Sequence, residues 1–202
     1  MTSLRELRGR AATCRNCDLW RDATQTVFGE GLLRADVMLV GEQPGDAEDR
    51  AGHPFVGPAG RVLDEGLAAA GIDRGDVYVT NAVKHFKWRA YGRRRIHQRP
   101  NAAEIAACKP WLLGELDALR PRILVLLGAT AAQALLGRSF RVTKQRGQIL
   151  EDTGLAPYVV ATIHPAAVLR ERDEASRGDA RAGLVRDLEL VRELLATSSA
   201  SA

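Results

Sequence analysis

The sequence predicts an α/β fold, a three-layer α/β/α sandwich around a four-stranded parallel sheet. Three observations carry that expectation. Four short runs rich in Val, Ile and Leu lack strict alternation, which is how strands buried on both faces of a sheet read. Helical patterns separate the runs, so right-handed βαβ crossovers join parallel strands. Polar or glycine-containing turns follow each run, where open α/β sheets bind their ligands.

In chain order, the first strand is expected at Ala35–Val40 and the first crossover helix at Ala59–Ala70, with Gly71 as its stop. A second strand, Val77–Thr80, leads through a basic segment to a helix at Ala102–Leu119. Pro121 separates that helix from a third strand, Ile123–Leu127, and a helix follows at Ala129–Leu136. Tyr158–Ile163 is the fourth strand, Ala180–Leu195 the last helix, and Thr197–Ala202 a frayed polar tail. The 202 residues make one domain, with residues 84–100 as an inserted basic loop. A hydrophobic share of 46% with 27% charged excludes global disorder. No apolar run approaches the ~20 residues needed to span a bilayer, and the N-terminus MTSLRELRGR lacks a signal-peptide stretch. The expectation is a cytoplasmic protein with no membrane partner, and no feature demands more than a monomer.

Charge is unevenly spread. Lys84, Lys87, Arg89, Arg93, Arg94, Arg95 and Arg99 lie in one stretch without an acid, and the rest of the chain holds 22 basic against 25 acidic residues. Phe86, Trp88 and Tyr91 are interleaved with these cations. A local basic patch with aromatics on a slightly acidic body favours a nucleic-acid contact over a merely solvated loop.

The strand ends carry the candidate chemistry. Gly41-Glu42-Gln43-Pro44-Gly45-Asp46 follows the first strand, Asn81 ends the second, Gly128-Ala129-Thr130 follows the third and His164-Pro165 the fourth. Glu42, Asn81 and His164 should therefore meet in one crevice with the basic loop at its rim. A separate group can hold metal. Cys14 and Cys17 have the two-residue gap that lets two thiolates grip one ion or cluster edge, and Cys108 adds a third. His85, between the second strand and the helix carrying Cys108, is the expected fourth ligand. Spacing does not separate zinc from iron–sulfur, and buried redox-inert thiols are the plainer alternative.

These residues resemble a known family. Gly41–Asp46 together with Phe55-Val56-Gly57-Pro58-Ala59-Gly60 is similar to the first motif of the iron–sulfur (family 4) uracil-DNA glycosylases. Thr80-Asn81-Ala82-Val83-Lys84 resembles their second motif, and His164-Pro165 with Val168-Leu169-Arg170 their last. The likeness runs in order from Cys14 to about Arg192. Two departures resemble the UdgX-type branch, whose members become covalently attached to DNA where uracil was excised. His85 stands where family 4 members carry cysteine, and the insertion ends Arg93-Arg94-Arg95-Ile96-His97. Gln43 also matches that branch.

The resemblance implies a [4Fe–4S] cluster on Cys14, Cys17, His85 and Cys108, and uracil-containing DNA, single- or double-stranded, as partner with uracil released. A flipped base needs an aromatic face, supplied by Phe55, and an amide for its imide edge, supplied by Asn81. His164 would donate to the oxygen where charge builds as uracil leaves. Gln43, Asp46 and Arg95 complete the expected substrate-binding set, Asp46 supporting the turn or loop and Arg95 holding the loop against a phosphate or the crevice wall. Arg93, Arg94, Lys84 and Lys87 are expected on the DNA backbone. His97 would attack C1′ in place of water, with Glu42 removing its ring proton. The alternatives are a turnover glycosylase releasing abasic DNA, or an iron–sulfur DNA-binding module without this chemistry.

Overall fold

The computed structural model describes residues 2–199. In chain order its elements are α1 (Leu4–Ala11), β1 (Glu30–Gly31), β2 (Val37–Gly41), α2 (Asp46–Ala51), α3 (Pro58–Ala69), β3 (Val77–Asn81), β4 (Trp88–Tyr91) and β5 (Arg94–His97). They continue with α4 (Ala102–Leu119), β6 (Ile123–Leu127), α5 (Ala129–Leu136), α6 (Val142–Gln145), β7 (Ile149–Leu150), β8 (Tyr158–Thr162), α7 (Pro165–Arg170) and α8 (Glu174–Ser199). The main sheet runs β1-β3-β2-β6-β8-β7. Its four central strands are parallel, as the sequence implies. The expected four-strand sheet is nonetheless a six-strand mixed one, because two-residue antiparallel strands cap both edges. Runs that short carry no periodicity, so hydropathy could not reveal them.

The missing alternation has a direct cause. Val37, Leu39, Ile123, Val125 and Leu127 face one apolar layer with Leu63 and Leu67 of α3 and Leu184 and Leu188 of α8. Met38, Val40, Leu124 and Leu126 face the other, with Leu112 and Leu116 of α4 and Ala131 of α5. Both faces of each strand are therefore dry. Gly71, after α3, takes φ 74° and lets the Ile72 amide reach back to the Leu67 carbonyl at 2.9 Å, the expected helix stop. The last helix continues through Thr197 to Ser199, into the segment expected to fray, while residues 200–202 lie outside the described set.

Residues 84–100 are not an irregular loop. Trp88 pairs with His97 and Tyr91 with Arg94 in a two-stranded antiparallel hairpin. Gly92, in its two-residue turn, has φ 57°, the positive value that such tight hairpins require.

Candidate active site

The crossover order places the site. The chain leaves β2 for β3 on one side and then returns to β6 on the other side of β2. At this reversal the connections diverge and leave a crevice at the strand carboxyl ends. A cavity of about 910 Å³ opens there, lined by Glu42, Phe55, Asn81, His97, Thr130 and His164 among others. The expected convergence of Glu42, Asn81 and His164 is met, and His97 reaches it from the end of β5.

Glycines let the pocket close. A Cβ at Gly41 would collide with the Asn81 side-chain oxygen and the Phe55 ring, and one at Gly60 with the Phe55 backbone. Phe55 has φ 57°, a left-handed conformation that costs energy for a non-glycine residue and that its neighbours must hold. Its ring stacks on His164, with centroids 6.2 Å apart and planes at 27°. Glu48, which the sequence reading missed, fixes both turns of this motif. Its carboxylate accepts the Gly45 amide at 3.1 Å and the Gly57 amide at 2.8 Å. Its place three residues beyond a helix-start glycine was the available signal.

His164 is a neutral donor. Its Nδ1 accepts the Ala166 amide at 3.1 Å, so the ring proton sits on Nε2. Burial pushes its pKa down to about 4, with the Glu42 charge opposing. A neutral imidazole N–H facing a pocket can steady developing negative charge without itself ionising. Glu42 behaves in the opposite sense. Burial would raise its pKa, but hydrogen bonds from His97 and Thr130 and the nearby imidazoles more than offset this and hold it ionised. His97 Nε2 lies 3.3 Å from Glu42 Oε1, and the imidazole is about half exposed at the pocket edge. Thr130 donates its hydroxyl proton to Glu42 Oε2.

The remaining expected substrate residues, Gln43, Asp46 and Arg95, join the hairpin to the first motif. The Gln43 amide donates to the Lys87 and Gln98 carbonyls at 3.1 and 3.0 Å and accepts the Lys87 amide at 3.2 Å. It ties the hairpin stem to the first motif and also lines the cavity. Arg95 is largely covered, pairs with Asp46 and Asp49 of α2 and lies over the Phe86 and Trp88 rings at 5.4 and 5.5 Å. It grips the crevice wall, one of the two anchors expected for the loop. Asp46 lines the cavity, with its carboxylate divided between Arg95 and Arg50.

The basic segment also sorts itself. Lys84 is wholly buried and ion-paired with Glu115, and its Nζ also donates to Thr80 Oγ1 and the Asn81 carbonyl. It cannot reach DNA, which corrects the expected phosphate contact. Adjacency to charged neighbours in sequence hid a strand-end lysine pointing into the core. Lys87 pairs with Glu104 at 2.9 Å and is three-quarters covered, so its charge is also matched within the fold. Arg89, Arg93, Arg94 and Arg99 remain exposed.

The three thiols gather beside α4. Cys17 and Cys108 pack with Leu19, Val83 and Trp111. Trp111 Nε1 donates to Cys14 Sγ at 3.1 Å, and the Lys84 amide to Cys108 Sγ at 3.2 Å. Burial pushes the Cys108 thiol up to about 11 and also raises Cys17. His85 is buried with Nε2 2.9 Å from Thr26 Oγ1, and that hydroxyl donates to the Ala11 carbonyl. It must therefore accept the His85 proton, which leaves the Nδ1 lone pair available. Among the described residues, no three His, Cys, Asp or Glu side chains close around a single ion.

With fold and crevice in place, comparison with known proteins defines the class. A model of the uracil DNA glycosylase superfamily matches residues 28–189. The chain belongs to that superfamily. It is 37% identical over 182 residues to the type-4 uracil-DNA glycosylase of Pyrobaculum aerophilum, covering 87% of this chain and 88% of that one. To the type-4 uracil-DNA glycosylase of Thermotoga maritima it is 38% identical over 169 residues, covering 83% and 84%. A type-5 uracil-DNA glycosylase from Pyrobaculum aerophilum is 33% identical over 154 residues, covering 67% and 63%.

Proposed function

We propose that this protein excises uracil from DNA and then becomes covalently joined, through His97, to C1′ of the abasic sugar. The observation that carries the reading is the pairing of His97 with Glu42 at the mouth of the crevice. Uracil would stack on Phe55 and pair with the Asn81 amide. As the N-glycosidic bond breaks, its electron pair passes to uracil and is steadied by the His164 N–H. The electrophilic sugar meets an imidazole already in position, which water must outcompete. With one ring proton directed at Glu42, the other ring nitrogen carries the lone pair that bonds to C1′. Glu42 accepts the departing ring proton. The product is a neutral N-linked imidazole, a poor leaving group, so the attachment lasts.

Cys14, Cys17, Cys108 and His85 would hold a [4Fe–4S] cluster that ties α4 to the N-terminal segment and supplies no step of the excision. Several observations favour this donor set. Two N–H groups already aim at sulfur, the His85 Nδ1 lone pair is uncommitted, and buried thiolates need positive charge to be stable. Iron–sulfur is preferred to zinc because of the family resemblance, since CxxC spacing serves either metal. Purified protein should be brown and contain iron, and His85→Cys should keep the colour. Colourless protein with stoichiometric zinc would overturn the assignment.

A denaturing gel of protein mixed with uracil-containing single-stranded DNA tests the function. A shifted band is the expected result. Alkali-cleavable abasic DNA without a shift would mean a turnover glycosylase, in which water attacks and His97 only binds. Neither product would leave a DNA-binding module.

A further inference from the structure

Glu42 has two oxygens, and the roles above use only one of them. Oε1 faces His97 at 3.3 Å. Oε2 is taken by Thr130, the second residue of α5, whose side chain is buried beneath the cavity. The Thr130 hydroxyl has a single proton, given to Glu42, and its lone pair accepts Arg99 Nε–H at 3.2 Å. A linear chain results, from Arg99 through Thr130 and Glu42 to His97, built from three separate segments of the fold.

Resting on the reading of Glu42 as proton acceptor, the geometry points to Thr130 as the positioning residue that fixes the Glu42 carboxylate with one oxygen on His97. A carboxylate on a flexible stem otherwise rotates among several rotamers, each presenting a different lone pair. Anchoring Oε2 from below leaves Oε1 as the free edge. The Arg99 guanidinium on the Thr130 oxygen makes the hydroxyl a stronger donor, since hydrogen bonds in a chain polarise one another. The bond to Thr130 also favours the ionised carboxylate. The other groups facing Glu42 are the imidazoles of His97 and His164, while Arg99 bears on it through Thr130. Asp46, Glu48 and Arg170 line the same cavity at its edges. The ring proton of His97 would thus arrive at an acceptor already oriented for it.

Thr130→Val keeps the shape and removes the hydroxyl, and Thr130→Ser restores it. Two readouts distinguish positioning from packing. The first is the Glu42 carboxyl titration by carbon NMR in the DNA-free protein. It should move upward in Thr130→Val and return in Thr130→Ser. The second is the single-turnover rate of adduct formation at saturating uracil-DNA. It should fall on the order of tenfold in Thr130→Val, a fraction of the ~10²–10⁴ that proton transfer by a positioned base supplies. DNA affinity should not change, and thermal melting shows whether both variants are folded. An unmoved Glu42 titration, or a serine variant as impaired as valine, would overturn the assignment. If wild-type protein released uracil without crosslinking, the covalent reading would fail. The same comparison would then be read from the titration and the release rate, where an unchanged Thr130→Val still overturns the role of Thr130.

Discussion

The floor of the crevice and the hairpin above it are held by different physics. Asn81 is paired with Gly41 in the parallel ladder, Phe55 packs into one apolar layer and His164 caps α7 directly after β8, with Gly41, Gly60 and Gly128 leaving them room. Moving Asn81 breaks the parallel ladder, and moving Phe55 opens a dry layer. The hairpin carrying His97 has only two short strands and an exposed tip. It is held by polar staples: Gln43 at the stem and Arg95 on Asp46 and Asp49. Asp49 is fully buried, and its carboxylate is shared between Arg95 and the backbone and hydroxyl of Thr24. The proposed base pocket is thus part of the core, while the proposed nucleophile sits on an attachment. The two should be separable by mutation.

The sharpest way to separate them is His97→Ser, which should abolish the denaturant-resistant adduct while leaving uracil release intact, because water can then reach C1′. A gel shift that survives would place the nucleophile elsewhere. Loss of both products would tie the hairpin to the excision step and dissolve the contrast.

The floor has its own signature in acid. His164 stays neutral in the fold down to about 4, whereas in the unfolded chain it protonates near its ordinary 6.5. Between those values the unfolded state binds the extra proton. The contribution is therefore fully present above 6.5 and is lost as pH falls toward 4, by at most about 3 kcal/mol. Urea unfolding across this range should show the slope, and His164→Gln should flatten it. If the slope persisted unchanged in that variant, it would belong to other groups.

Cutting a staple tests the attachment more gently. Arg95→Ala should lower the trapping rate by roughly tenfold, in keeping with the sensitivity of positioned groups to small displacements, with uracil release nearly unchanged. Equal loss of both would show that the clamp also supports the floor. The smallest effect is expected at the tip. Neutralising Arg93 and Arg94 should weaken uracil-bearing and plain DNA alike and reduce the salt slope by about one per lost phosphate contact. A selective loss for uracil-DNA would assign these arginines to the pocket.

Much of the scaffold was readable because burial on both faces forces unbroken apolar runs. The bounds of α4, α5 and β6 match the expected ones residue for residue, and the strand-end rule located Glu42, Asn81 and His164. Lys84 shows where local reading stops. In sequence it opens a cationic segment, yet a lysine next to a strand end can turn inward if a carboxylate far along the chain is waiting, and Glu115 is that carboxylate. The staples made by Gln43 and Arg95 were hidden for the same reason. Their partners lie 44 to 55 residues away, as with Lys87 and Gln98, or 46 to 49, as with Asp49 and Asp46.

By itself the sequence determined the layers, the order of the parallel strands' motifs and the residue types at their carboxyl ends, since hydrophobic period and turn chemistry are local. Only the tertiary structure decided which cations face solvent, which side chains staple the hairpin, and that Thr130 holds the second oxygen of Glu42. Those choices depend on distances between segments remote in the chain. A charged group's role follows from the partner that compensates its burial, and that partner is known only once the chain is packed.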